Sequence, residues 1–235
     1  MADTALWGVP LRGPEDTRRT WLEWLCDKNN VWTEPDRDEC ILLRHASFAG
    51  MADAEAVWGH ATALTASVNG LMRTDYGCQP LTPVSVVRTR ADGRRDVTVF
   101  VGTGVIELRA GTAIAFTGSA ADMEVQKAAI RQKLQRKIAA IEADEHLGEA
   151  FQHLMRSRDW FDLYKTFEAL RRYVVNGDNL NAIAKKASLP ETSDFTETAN
   201  VYRHHRSASK VKMTVREAER YILSLIRAVV AHKIP

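Results

Sequence analysis

The stretch that decides the fold is Pro83–Thr117, PVSVVRTRADGRRDVTVFVGTGVIELRAGTAIAFT. Its β-branched residues fall in short runs, broken by Ala91-Asp92-Gly93, Gly102-Thr103-Gly104 and Ala110-Gly111. Short apolar runs punctuated by glycine turns are the pattern of antiparallel hairpins, because glycine supplies the backbone conformations that tight turns need. The pattern predicts strands at 83–89, 96–101, 105–109 and 112–117, joined as an antiparallel meander.

On both sides of this stretch the period changes to that of helices. Upstream, PEDTRRTWLEWLCD (Pro14–Asp27) has a proline and acids at its start, as a helix N-terminus favours, and Trp21, Trp24 and Leu25 on its apolar side. Cys40–Arg44, CILLR, is a strand candidate, and Asp53 is placed to cap a helix running to Arg73. Downstream of Gly118-Ser119-Ala120 every segment reads helical: 122–143, 146–156, 159–175 ended by Asn176-Gly177, 180–187 stopped before Pro190, 193–205, and a last helix after Thr214. That last helix opens with Thr214-Val-Arg-Glu217, a capping box, and carries Val215, Ala218, Ile222, Leu225 and Val229 at spacings of three and four. Such a stripe packs against other helices or against a second copy of itself. The fold class is therefore α+β: N-terminal helices with a small antiparallel meander over 1–119, and an all-helical bundle over 120–235.

Composition narrows the function classes. The 235 residues suffice for a sizeable core, and 45% hydrophobic with 26% charged residues is the balance of a globular protein. A net charge of +2 favours no nucleic-acid or membrane partner in bulk, so such a partner has to be recognised by local clusters. The three cysteines, Cys26, Cys40 and Cys78, are widely spaced and form no CxxC pair, which argues against a disulfide framework or a zinc knuckle and for a cytoplasmic setting. No apolar run reaches membrane-span length. Gly102-x-Gly104 lacks the rest of a dinucleotide loop, no Walker loop or HExxH is present, and His146 and His153 are seven apart where helical metal pairs prefer three or four. No cofactor and no metal are expected.

Two clusters remain. In FTETANVYRHHRS, Phe195–Ser207, a helical reading turns Phe195, Ala199 and Tyr202 toward the core and puts Asn200 and His204 on one face, with Arg203 beside them and Arg206 beyond. Imidazole moves protons near neutral pH, and guanidinium holds phosphate. The second cluster is Lys127, Arg131, Lys133, Arg136 and Lys137 on the 122–143 helix, a basic stripe of the kind that lies along a phosphate backbone.

Over about 120–235 the sequence resembles the HEPN superfamily of helical-bundle domains, common in prokaryotic defence and toxin–antitoxin systems. The resemblance is carried by Asn200-Val-Tyr-Arg-His204 on the penultimate helix, the capped terminal helix, and Glu168-x-x-x-Arg172 on an earlier one. It is similar, too, to uncharacterised bacterial proteins that read Leu163-Tyr-Lys-x-x-Glu168, then Thr198-Ala-Asn200, Arg203-His204 and a capped helix. The resemblance implies a homodimer through the C-terminal helices and an RNA or other anionic partner. It also implies metal-independent RNA cleavage, with His204 acting on the 2′-hydroxyl or leaving group beside Asn200; Arg203, one turn on from position 199, is the candidate to take the family arginine's place. The sequence departs from that pattern at Ala199, where the family carries an arginine, and loss of such a donor costs about 10²–10³ in rate. The expectation is accordingly a binding module, with an RNase using His204 and a non-catalytic protein–protein accessory as alternatives.

Overall fold

The computed structural model describes residues 6–100, 120–156, 159–174, 179–204 and 211–234. The chain is α+β and divides between Ala139 and Ala140 into two compact units.

The first unit is built around β1 (Leu6–Arg12), a strand its own sequence conceals. LWGVPLR contains Gly8 and Pro10, both depleted in strands. Here each has a local reason. A Cβ on Gly8 would come within 3.0 Å of the Leu42 side chain and the Arg44 guanidinium, so the neighbouring strand can approach only because the glycine is bare. Pro10 has no N–H to donate, and its carbonyl accepts from the Val84 amide at 3.0 Å. With β2 (Val31–Pro35), β3 (Ile41–His45), β4 (Thr82–Pro83), β5 (Val86–Thr89) and β6 (Arg95–Thr98) it forms an antiparallel sheet in the order β2-β3-β1-β5-β6, with β4 also beside β1. Val9 stands opposite Leu43, Trp7 opposite Arg88, and Val87 opposite Val97.

The expected meander thus survives as the β5–β6 hairpin, whose turn has Gly93 at φ +80°. The other neighbour of β5 is the N-terminal β1, so the sheet is assembled from distant segments. The strands expected at 105–109 and 112–117, and the turns between them, lie outside the described residues, as does the Asn176-Gly177 helix end.

Helix α1 (Glu15–Trp24) and helix α2 (Ala54–Tyr76) bury Trp21, Trp24, Leu64, Val68 and Leu71 with the sheet residues Val9, Leu11, Leu43 and Val86. Asp53 caps α2 by accepting from the Ala56 amide at 2.9 Å, and Gly77 closes it in the left-handed region. Inside this core Asn69 spans a strand-like gap: its Nδ2 donates to the Leu81 carbonyl at 2.7 Å and its Oδ1 accepts from the Leu81 amide at 2.8 Å. Arg44 is also buried, donating from Nη1 to the carbonyls of Leu6 and Trp7 at 3.1 and 2.9 Å.

Helix α3 (Ala120–Ala143) explains why the division falls at 139 rather than at 119. Leu134 and Ile138 are buried, Gln135 donates to the Val31 carbonyl at 2.6 Å, and Lys137 pairs with Asp75 at 2.5 Å. The change of sequence period marks where helices begin, but these contacts place α3 as far as Ala139 with the sheet.

The second unit contains α4 (Glu145–Arg156), α5 (Trp160–Tyr173), α6 (Leu180–Lys186), α7 (Thr192–His204) and α8 (Val215–Lys233). Leu147, Phe151, Leu163, Phe167, Leu170, Phe195, Ile222 and Leu225 make its core. The Thr214 hydroxyl accepts from the Glu217 amide, and the Glu217 carboxylate accepts from the Thr214 amide at 2.7 Å, completing the expected capping box. The apolar stripe of α8, from Ala218 through Tyr221, Leu225 and Val230, is buried within this unit. A second copy would have to meet another face.

Candidate functional site

The C-terminal half of α7 and the N-terminal half of α5 together carry the site. Phe195 and Ala199 of α7 are buried as the spacing predicts. Tyr202 departs from that expectation: it is 50% exposed, because α7 meets Trp160 at this level and the phenol lies on the indole rather than passing beneath it. The two rings are 5.0 Å apart at 8°, an offset stack in which Trp160 is only 8% exposed.

Arg203 is half-buried and lays its guanidinium 3.8 Å from the centroid of the Tyr164 ring on α5. It makes no hydrogen bond or ion pair among the described residues, so the ring holds the position of the cation while its N–H donors stay unassigned. Asn200 is half-buried and His204 is exposed, four residues apart on the same helix. Arg206 lies outside the described residues.

Glu168 and Arg172, also on α5, do not pair with each other. Glu168 is 3.7 Å from Lys165, and Arg172 is 3.5 Å from Glu149 of α4. Lys165 in addition sits 5.6 Å over the ring of Phe161, an aromatic side chain 55% exposed. The α5–α7 face therefore presents one cation–aromatic contact and one aromatic stack, and α5 carries a second cation–aromatic contact of its own at Phe161. Sequence reasoning picked out the α7 half of it. Trp160 and Tyr164 belong to α5, and only the contact of α5 with α7 brings Tyr202 and Arg203 onto their rings.

The basic stripe of α3 is largely engaged within the first unit. Lys127 pairs with Glu23 at 2.9 Å, Arg131 donates from Nε to the Glu23 carbonyl at 3.0 Å, and Lys137 holds Asp75. Lys133 and Arg136 are exposed. Three of the five cations of the stripe thus have partners in the first unit, because helix amphipathicity fixes a face and not what that face meets.

Other imidazoles have structural surroundings. His153 lies 3.9 Å from Asp162, and burial holds it below the ordinary imidazole value. His146 is 3.6 Å from Glu149. In the first unit His45 and His60, brought together from β3 and α2, have ring centroids 4.9 Å apart, and His45 accepts from the Ser47 amide through Nδ1. No sequence spacing signals this pair, since its members sit on different elements.

Compared with known proteins, the chain matches no protein-family model, no curated protein and no solved structure.

Proposed function

We propose that the helical unit, residues 140–235, is an RNA-binding module of the HEPN-like kind, with the α5–α7 face as its contact surface. The observation that carries this reading is Arg203, a guanidinium oriented by the Tyr164 ring with its donors uncommitted among the described residues. An arginine held in this way meets a phosphate at a smaller entropic cost than a freely rotating side chain, because its position over the ring is already set. His204 and Asn200, on the same half-turns of α7, add polar contacts beside it.

Binding is favoured over cleavage in this reading. Ala199 occupies the place where the resemblance leads one to expect an arginine, and it is fully buried. Arg203 is engaged with Tyr164 instead.

The test is fluorescence anisotropy of a labelled RNA oligomer with the full chain, at rising salt and in EDTA. Binding should weaken as salt rises, since phosphate contacts release counterions. Arg203→Ala should weaken it by at least about tenfold, as loss of a charge-assisted contact of ~1.5–3 kcal/mol implies, and Arg203→Lys should recover only part. RNA recovered intact is expected; cleavage abolished by His204→Ala would replace the binding reading with the RNase one. No binding at low salt would remove the reading altogether.

A further inference from the structure

We infer that the α5–α7 face takes unpaired nucleotides, with a base continuing the Trp160–Tyr202 stack. This rests on the RNA-binding reading and specifies the state of the RNA. Tyr202 has one ring face laid against Trp160 at 8°, yet the residue remains 50% exposed, so its accessible area is the opposite face and the edge. Trp160 is itself anchored in the core, 6.0 Å from the buried Phe195 ring, so the platform stands on a rigid base. A half-covered, fixed aromatic ring is the receptor on which a splayed base stacks, whereas bases inside a duplex have their faces occupied by their neighbours.

The charges nearby suit the same occupant. Arg203 rests on Tyr164, one helical turn along α5 from the Trp160 that carries Tyr202, and its donors are uncommitted among the described residues, so a phosphate flanking the stacked base has a cation on the neighbouring turn. On α5, Phe161 offers a second exposed ring with Lys165 above it, a lysine shared with Glu168. An aromatic face with a cation beside it is the arrangement that single strands use, and it reads no particular base, because every base has a π-face. The platform therefore distinguishes unpaired from paired RNA rather than one sequence from another.

The experiment compares one labelled 12-nucleotide RNA, single-stranded and annealed into a blunt duplex, against the full chain at 50 mM salt. The single strand should bind at least roughly tenfold tighter. Tyr202→Ala should weaken single-strand binding by roughly tenfold or more and erase the preference, while Tyr202→Phe, which keeps the ring, should retain both. Far-UV circular dichroism and thermal melts establish that each variant folds, which the exposure of Tyr202 favours. Equal affinity for the two forms, or an unchanged affinity in folded Tyr202→Ala, overturns this inference while leaving RNA binding through Arg203 in place. Failure of the wild-type chain to bind either form overturns both.

Discussion

Replacing Asn69 tests whether the first unit is held together by the bridge inferred from its geometry. Its carboxamide occupies both polar groups of Leu81, at 2.7 and 2.8 Å, and both residues are buried. Asn69→Leu removes the carboxamide while nearly preserving volume, so the cavity contribution is small and the cost is that of two backbone groups stranded away from water. Each such group costs ~1–3 kcal/mol, giving about 2–6 kcal/mol for the pair. For a chain of this size, where 1 kcal/mol shifts the melting temperature by roughly 2–4 °C, the transition of the first unit should fall by roughly 5–20 °C.

Asn69→Asp separates the two bonds. The carboxylate can still accept from the Leu81 amide, but it opposes the Leu81 carbonyl unless protonated. Burial and that carbonyl disfavour the charged form, so the folded-state pKa would lie above the unfolded value of about 3.9. The stabilisation is then complete below the unfolded value and is lost as pH rises through the folded one. Asn69→Asp should therefore lie closer to wild type at pH 4 than at pH 7. Thermal melts at the two pH values, with hydrogen exchange at the Leu81 amide, give both readouts. Asn69→Leu within about 0.5 kcal/mol of wild type, with the Leu81 amide still protected, would refute the reasoning.

Two further outcomes follow from the same kind of accounting. Leu225 is fully buried in the α8 stripe, so Leu225→Asp places an unpaired charge in the core at a cost above about 4 kcal/mol; circular dichroism should show loss of helix, and a variant with the wild-type spectrum would show that the stripe is not core. Burial pushes the Asp36 carboxyl up, but bonds from Arg95 at 2.6 and 3.1 Å outweigh it and hold the group below its ordinary value. A depressed carboxylate stabilises the fold above its unfolded pKa and loses that contribution as pH falls through the folded one. Asp36→Asn should be less stable than wild type at pH 7, with the difference closing in acid; a gap that is constant with pH in denaturant titrations would contradict the pairing.

Much of the helical half was legible because helices announce themselves locally. The Thr214–Glu217 box and the burial of Phe195 and Ala199 follow from residues within a turn or two of one another, as does the Asp53 cap in the first unit. The candidate site was only half legible. Asn200, Arg203 and His204 stand out as polar residues on one helix, but Arg203 acquires its orientation from Tyr164, 39 positions earlier, and Tyr202 its exposed stack from Trp160. Neither pairing leaves a trace in local spacing.

By itself the sequence determined where helices start, which of their faces are apolar, and that a hairpin turns at Gly93, because capping, periodicity and turn chemistry are short-range properties of the chain. Tertiary structure alone decided that β1 joins β3 to β5, that α3 pairs Lys127 with Glu23 and Lys137 with Asp75, and that α5 and α7 bring Tyr202 onto Trp160. The physical reason is that an apolar or charged face specifies what kind of surface it needs, while the identity of that surface depends on packing between segments far apart in sequence.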